Sequence, residues 1–366
     1  MSSSVKTKND RLYSIDLIRF IAAVYVVFYH YGFRGFAKDN MSILHFPELE
    51  NFSKYGYLGV DLFFIISGFV IIMSVRNSDL IDFCISRFTR LYPAFWICII
   101  LTAVFTVFFG GAIYIVTIQQ VLFNLTMFNG FFGVEHVDGV YWSLVIELQF
   151  YFLIAIILFF KKLKYIKTFG YVLLAISISQ LLLPFAEAPR FVQVIYYITF
   201  ARWNPYFIAG MFFYFMRSEN EILKNLIPIL VAYFVAIIYA LQNLEYKAEA
   251  YGHSFSESIV IALITSFFIV IFLVSINKLK MLNKKKFLYM GILTYPLYLI
   301  HQNIGFMIFN NLGYTVNKWV LLFSVFILML IVSYSINKYI EKPLGSNLRK
   351  NLRKNTLLIK LKSKLP

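Results

Sequence analysis

The chain has 366 residues, 60% of them hydrophobic and 19% aromatic. Soluble domains hold about 45–50% apolar residues, so the composition excludes one and indicates a polytopic membrane protein. The formal charge of +16 could suit nucleic acid, but the basic residues flank apolar stretches, where membrane topology accounts for them, and no nucleic-acid partner is expected.

Apolar windows of about 20 residues mark the predicted spans. Ten are placed, near 14–33, 57–75, 91–109, 140–160, 168–184, 198–216, 226–242, 257–276, 287–309 and 318–340. The fold class is therefore all-α, a bundle of about ten transmembrane helices. The first stretch lacks a small-residue cleavage site after it and reads as an anchor, not a removed signal. Stretch 112–132 carries Gln119, Gln120, Asn124 and Asn129, which favour an interfacial or re-entrant segment over an eleventh span. With the N-terminus in the cytoplasm, 26 lysines and arginines, Lys6 and Lys8 among them, fall in inside segments and six in outside ones. This bias puts both termini in the cytoplasm. One domain over 1–345 is expected, followed by a basic cytoplasmic tail over 346–366 that serves as a flank against anionic lipid.

Ionisable residues inside spans are costly and mark candidate sites. Arg19 and His30 stand 11 residues apart in the first span, which puts them on one helix face and roughly 16 Å apart along the axis. The bland alternative pairs Arg19 with Asp16 at i,i+3. Asp61 sits near the start of the second span, where Ser67 and Gly68 suit close helix packing. Arg87 and Arg90 precede the third span as an i,i+3 pair, matched to phosphate by their guanidinium forks or serving only as a positive flank. Glu147 in the fourth span could orient His30 or bind substrate hydroxyls, or it could be a structural partner of Arg202. His301 in the ninth span follows Tyr295 and Tyr298. His136, with Glu135 and Asp138, reads as a solvated loop. Cys84 and Cys98 offer neither zinc spacing nor a disulfide framework, and no metal is expected.

The segments YSIDLIRFIAAVYVVFYH, GYLGVDLFFIISGFVI, Arg87 with Arg90, VYWSLVIELQFYF, TYPLYLIHQ and IEKPL occur in order over roughly residues 13 to 345. Together they resemble the membrane acyltransferase-3 family. The resemblance implies a bundle that moves an acyl group, usually acetyl, from acyl-CoA to a carbohydrate hydroxyl. It implies His30, Glu147 and Arg19 as catalytic residues and Arg87 and Arg90 as the acyl-CoA site. Asp61, Trp142, Tyr295, His301 and Glu341 follow as substrate-binding or structural positions. Relatives with an added SGNH-type domain differ from the single-domain form expected here. Thr294 stands where the family commonly has serine.

The expected activity is therefore an O-acyltransferase, an acetyl-CoA-dependent one first, in the inner membrane of a bacterium. Its partners would be acyl-CoA as co-substrate, with no bound cofactor, a carbohydrate acceptor and the lipid bilayer. Lipopolysaccharide, capsule, exopolysaccharide, peptidoglycan or a lipid-linked sugar would all serve as acceptor. A secondary transporter of a sugar or acyl group is the alternative, weakened by the absence of paired half-helices.

Overall fold

The computed structural model describes residues 11–76 and 78–364; Lys6 and Lys8 lie outside them. Among the described residues all regular structure is helical. Ten helices line up with the ten predicted spans: α1 Tyr13–Tyr29, α2 Gly59–Val75, α3 Leu80–Phe109, α4 Trp142–Phe159 and α5 Ile166–Leu182 come first. Then follow α6 Asn204–Glu219, α7 Ile222–Tyr251, α8 Glu257–Ser275, α9 Leu288–Leu312 and α10 Lys318–Ile336. A further helix, α11 Lys342–Lys354, closes the chain's main body.

Among the described residues, eight helical segments are long and apolar enough to cross a membrane, and they contain every one of the ten except α6 and α9. Those two fall short because they are enclosed by protein. Every residue from Asn204 to Met216 in α6 is buried, as are His301, Gln302 and Asn303 in α9. A helix walled by other helices needs no lipid-facing surface, so its sequence is free to be shorter or more polar. α9 packs on α1, α3 and α10, α6 packs on α2, α5 and α7, and α1 contacts α2, which joins the two groups.

The contact of α2 with α6 depends on two glycines. A Cβ on Gly68 would lie 2.0 Å from the Phe207 carbonyl oxygen, and one on Gly210 would lie 1.9 Å from that of Ile65. The backbones touch here, as small residues permit inside a membrane. Stretch 112–132 forms a seven-residue helix, Ile118–Asn124, and a 3₁₀ turn, Asn129–Phe132, too short to span.

Three boundaries differ from expectation, each for a local reason. α3 begins at Leu80, because Asp79 caps it by accepting the Asp82 N–H at 2.8 Å. Arg87 and Arg90 are therefore helical and not in a preceding loop. α7 runs on to Tyr251, so Lys247 is helical too. The tail is not a plain lipid flank. α11 runs on from α10 through the helical turn Asn337–Glu341, with Pro343 in its first turn, and packs along α3. Pro93 in α3 cannot donate to the Thr89 carbonyl, and Gly345 sits against that oxygen, where a Cβ would come within 2.7 Å. Arg353 pairs with Asp82 at 3.0 Å, and Lys362 reaches Asp79 and Asp82 at 2.7 Å each.

Candidate active site

Two chambers lie along α1, with Arg19 lining one and His30 the other. The spacing argument thus places both side chains where a polar path would need them. The local alternative for Arg19 is not realised: Arg11 holds Asp16 with two hydrogen bonds, of 2.8 and 3.1 Å.

The arginine chamber, of about 450 Å³, is lined by Arg19, Arg87, Arg90, Glu147, Tyr295 and Arg349 among others. Glu147 accepts from Ser67 at 2.8 Å and from Tyr151 at 2.5 Å. Ser67 therefore serves the carboxylate while its neighbour Gly68 provides the close packing. Arg202 does not meet Glu147; it lines the other chamber. Arg90 donates to Glu341 at 2.9 Å, and Asn337 donates to the second oxygen of Glu341 at 2.9 Å. Glu341 closes a π-helical turn, Asn337–Glu341, a widened geometry common at functional sites. Arg87 lies over the Phe83 and Tyr151 rings, and its buried Nε has no hydrogen-bond partner. Neither Arg19 nor Arg87 forms an ion pair among the described residues. Arg87 donates to Ser86 Oγ at 3.2 Å, yet two guanidinium groups without an ion pair facing one cavity suit a multiply charged anion. Arg349 escaped the sequence reading because it lies in the stretch taken for a free tail. Its Nε reaches Thr89 Oγ1 at 3.3 Å across the α3–α11 contact, and the Lys-Pro start of α11 was the available signal for a helix there.

Arg90→Ala should destabilise the protein measurably, because Glu341 is 6% exposed and would keep a buried charge without its cation. The loss should be on the order of 2 kcal/mol, below that of fully buried pairs because Arg90 is partly solvated. Adding Glu341→Gln should restore most of it, read as thermal unfolding in detergent.

The second chamber, of about 510 Å³, is lined by His30, Asp61, Trp142, Arg202 and Lys247, with Tyr298 shared between the two. His30 opens a π-helical turn, His30–Arg34, that continues α1. It meets His301 of α9, whose Nε2 lies 3.0 Å from His30 Nδ1. Their protonation follows from their partners. His301 Nδ1 sits 3.0 Å from Leu297 O and 2.9 Å from Tyr298 O, which only accept, so that nitrogen carries hydrogen. Neutral His301 then presents a bare Nε2. His30 Nδ1, between that lone pair and Val26 O at 2.9 Å, must be the donor. His30 Nε2 is left unprotonated, as a general base requires.

Glu147, for which orienting His30 was one of the expectations, belongs to the arginine chamber, and the side chain that meets His30 is His301. Tyr31 donates to the His301 carbonyl at 2.7 Å. The Tyr298 hydroxyl is held by Ser143 Oγ at 2.7 Å and Val140 O at 3.0 Å, while Tyr295 donates to Leu91 O at 3.1 Å. Trp142 stacks obliquely on Trp203, with ring centroids 5.4 Å apart. Asp61 is hydrogen-bonded by Tyr206. Asp138 is fully buried and not in a solvated loop; it accepts the N–H groups of Asn303 at 3.0 Å and Val140 at 3.2 Å. It thereby ties the start of α4 to α9 two residues from His301. The His136 ring is held by Asn129 at 3.1 Å.

A family model described as an acyltransferase domain matches residues 12–338. Over 167 residues the chain is 30% identical to peptidoglycan O-acetyltransferase OatA of Listeria monocytogenes, covering 40% of this chain and 24% of that protein. It is 28% identical over 170 residues to nodulation protein 10 of Rhizobium leguminosarum, covering 40% and 44%. With O-acetyltransferase OatA of Staphylococcus aureus it shares 32% over 151 residues, covering 35% and 24%. The chain matches less than half the length of each of these relatives. No solved structure matches.

Proposed function

The chain belongs to the membrane acyltransferase-3 family, and from that premise we propose that it transfers an acyl group, acetyl first, from acyl-CoA to a carbohydrate hydroxyl. The observation that carries this reading is the division of labour along α1. A base-bearing chamber and an arginine chamber share the single helix and meet at Tyr298. OatA supplies the precedent of O-acetylation in its name. Ten spans with both termini cytoplasmic, in a bacterial inner membrane, fit the charge bias. That orientation opens the arginine chamber to the cytoplasm and the His30 chamber to the outside.

In this mechanism Arg87, Arg19 and Arg349 hold the phosphates of coenzyme A, and Arg90 does so from its pairing with Glu341. The pantetheine arm runs past Tyr298 towards His30. His30 Nε2 takes the proton of the acceptor hydroxyl as its oxygen attacks the thioester carbonyl. The C–O bond forms, the C–S bond breaks, and the proton passes to the departing thiolate. The resulting imidazolium donates through Nδ1 to Val26 O and the bare Nε2 of His301. Glu147 keeps Ser67 and Tyr151 in place beside the donor path.

The test is NMR of surface polysaccharide O-acetyl content in cells with the gene, without it, and with His30→Ala, paired with turnover of labelled acetyl-CoA by purified protein. Acetyl present only with the wild type supports the reading. Unchanged spectra together with no acetyl-CoA turnover remove it in favour of transport. Arg87→Ala and Arg349→Ala should each weaken acetyl-CoA binding about tenfold, the worth of one charge-assisted contact, in calorimetric titration.

A further inference from the structure

The His30 chamber is more cationic than transfer to a neutral sugar requires. Three basic side chains, Arg34, Arg202 and Lys247, line it against one carboxylate, Asp61. Arg34 is partly answered at the rim by Asp39 at 3.7 Å. Arg202 and Lys247 form no ion pair with a carboxylate among the described residues. Each is held by aromatic faces: Lys247 Nζ stands 3.8 Å from the Tyr57 ring centroid, and the Arg202 guanidinium lies 5.8 Å from that of Trp203. Aromatic faces fix a cation in position while leaving its charge uncancelled. Lys247 lies on the last turns of α7, and Arg202 lies just before α6.

A base for a hydroxyl needs none of this. Asp61 lies within electrostatic reach of both Lys247 and Arg202, but one carboxylate does not balance three cations, and the excess beside tryptophan and tyrosine rings, in a cavity of about 510 Å³, fits a sugar ring whose substituent carries negative charge. Charge-assisted bonds from Lys and Arg to carboxylate or phosphate are the strong ones in such a site. Resting on the acyltransferase reading, we infer that the acceptor is an anionic saccharide, bound by Lys247 and Arg202 through its carboxylate or phosphate while His30 faces one of its hydroxyls.

The test uses the purified full chain in detergent, with Trp142 and Trp203 as fluorescence reporters in a Trp96→Phe, Trp319→Phe background. Tetragalacturonate is titrated against its fully methyl-esterified form, and glucose 1-phosphate against glucose. At least one anion should bind about tenfold tighter than its neutral counterpart, as one charge-assisted contact predicts, and whichever pair shows the preference identifies carboxylate or phosphate. Lys247→Gln should erase the preference and Lys247→Arg should keep it; Arg202→Gln serves if the first variant does not fold. Equal binding within both pairs, no binding at all, or a preference that survives both neutral variants overturns the inference. Acetyl-CoA turnover is read on the same preparation. Its loss with the anion preference intact would count against the acyltransferase reading, and the reverse would count against the anionic acceptor.

Discussion

His30→Ala should lower acyl transfer by roughly 10³-fold, the range expected for losing a positioned general base. Acetyl-CoA binding should hardly change, because His30 lines the chamber without the arginine cluster. Labelled acetyl transfer and calorimetric donor binding, measured on one preparation, separate the two effects. His301→Gln should be milder. A glutamine can offer an acceptor to His30 Nδ1 yet cannot reproduce a ring held by the Leu297 and Tyr298 carbonyls at 3.0 and 2.9 Å. Transfer retained in a folded His30→Ala protein would remove the base mechanism while leaving the family assignment untouched.

Gly210→Leu should prevent assembly of the bundle altogether. The new Cβ would fall 1.9 Å from the Ile65 carbonyl oxygen, and backbone atoms have no alternative rotamer. Either α2 and α6 separate, exposing an interface buried from Asn204 to Met216, or the helices shift and carry Asp61 and Arg202 out of register. A cost of about 4 kcal/mol or more places this among exceptional substitutions. Size-exclusion chromatography should show aggregate in place of a single species. Gly252→Ala makes the contrasting control: that residue has a φ of +64° with nothing near its would-be Cβ, and should cost about 1 kcal/mol. A well-behaved, monodisperse Gly210→Leu protein would mean that the α2–α6 contact is not the fold's tight point.

The positions of the helices were legible because lipid imposes one composition on any segment that meets it. Even α6 and α9 could be placed, despite their polar residues. Helix length was less legible: α3 extends back to Leu80 through a single capping aspartate, and α7 continues past its apolar window to Tyr251. Within the site, Arg19 and His30 could be related from sequence because one helix carries both. The Arg90–Glu341 pair joins residues 251 positions apart; the depth of Glu341 near the inner end of its span suggested Arg19 or Arg87 as its neighbour instead. The His30–His301 contact spans 271 positions, and no periodicity links residues on different helices. The depth of Glu147 left His30, substrate hydroxyls and Arg202 all open as its partners, because depth does not say which face of α4 points where. Tyr151, four residues on, was the local clue to its real surroundings. Lys247 lies beyond the apolar window 226–242 and Arg202 inside 198–216, and only the packing of α6 and α7 brings them into one cavity.

The hydrogen bonds of His301 bear on energy conservation across the membrane. Its Nδ1 proton ends on the carbonyls of Leu297 and Tyr298, which have no site from which to hand a proton onward. The imidazole pair therefore lacks the through-connected donors and acceptors of a relay. A proton taken up on His30 Nε2 therefore leaves on the chamber side, not through His301. On the acyltransferase reading, transfer should run at the same rate when the membrane's electrochemical gradient is collapsed by an uncoupler.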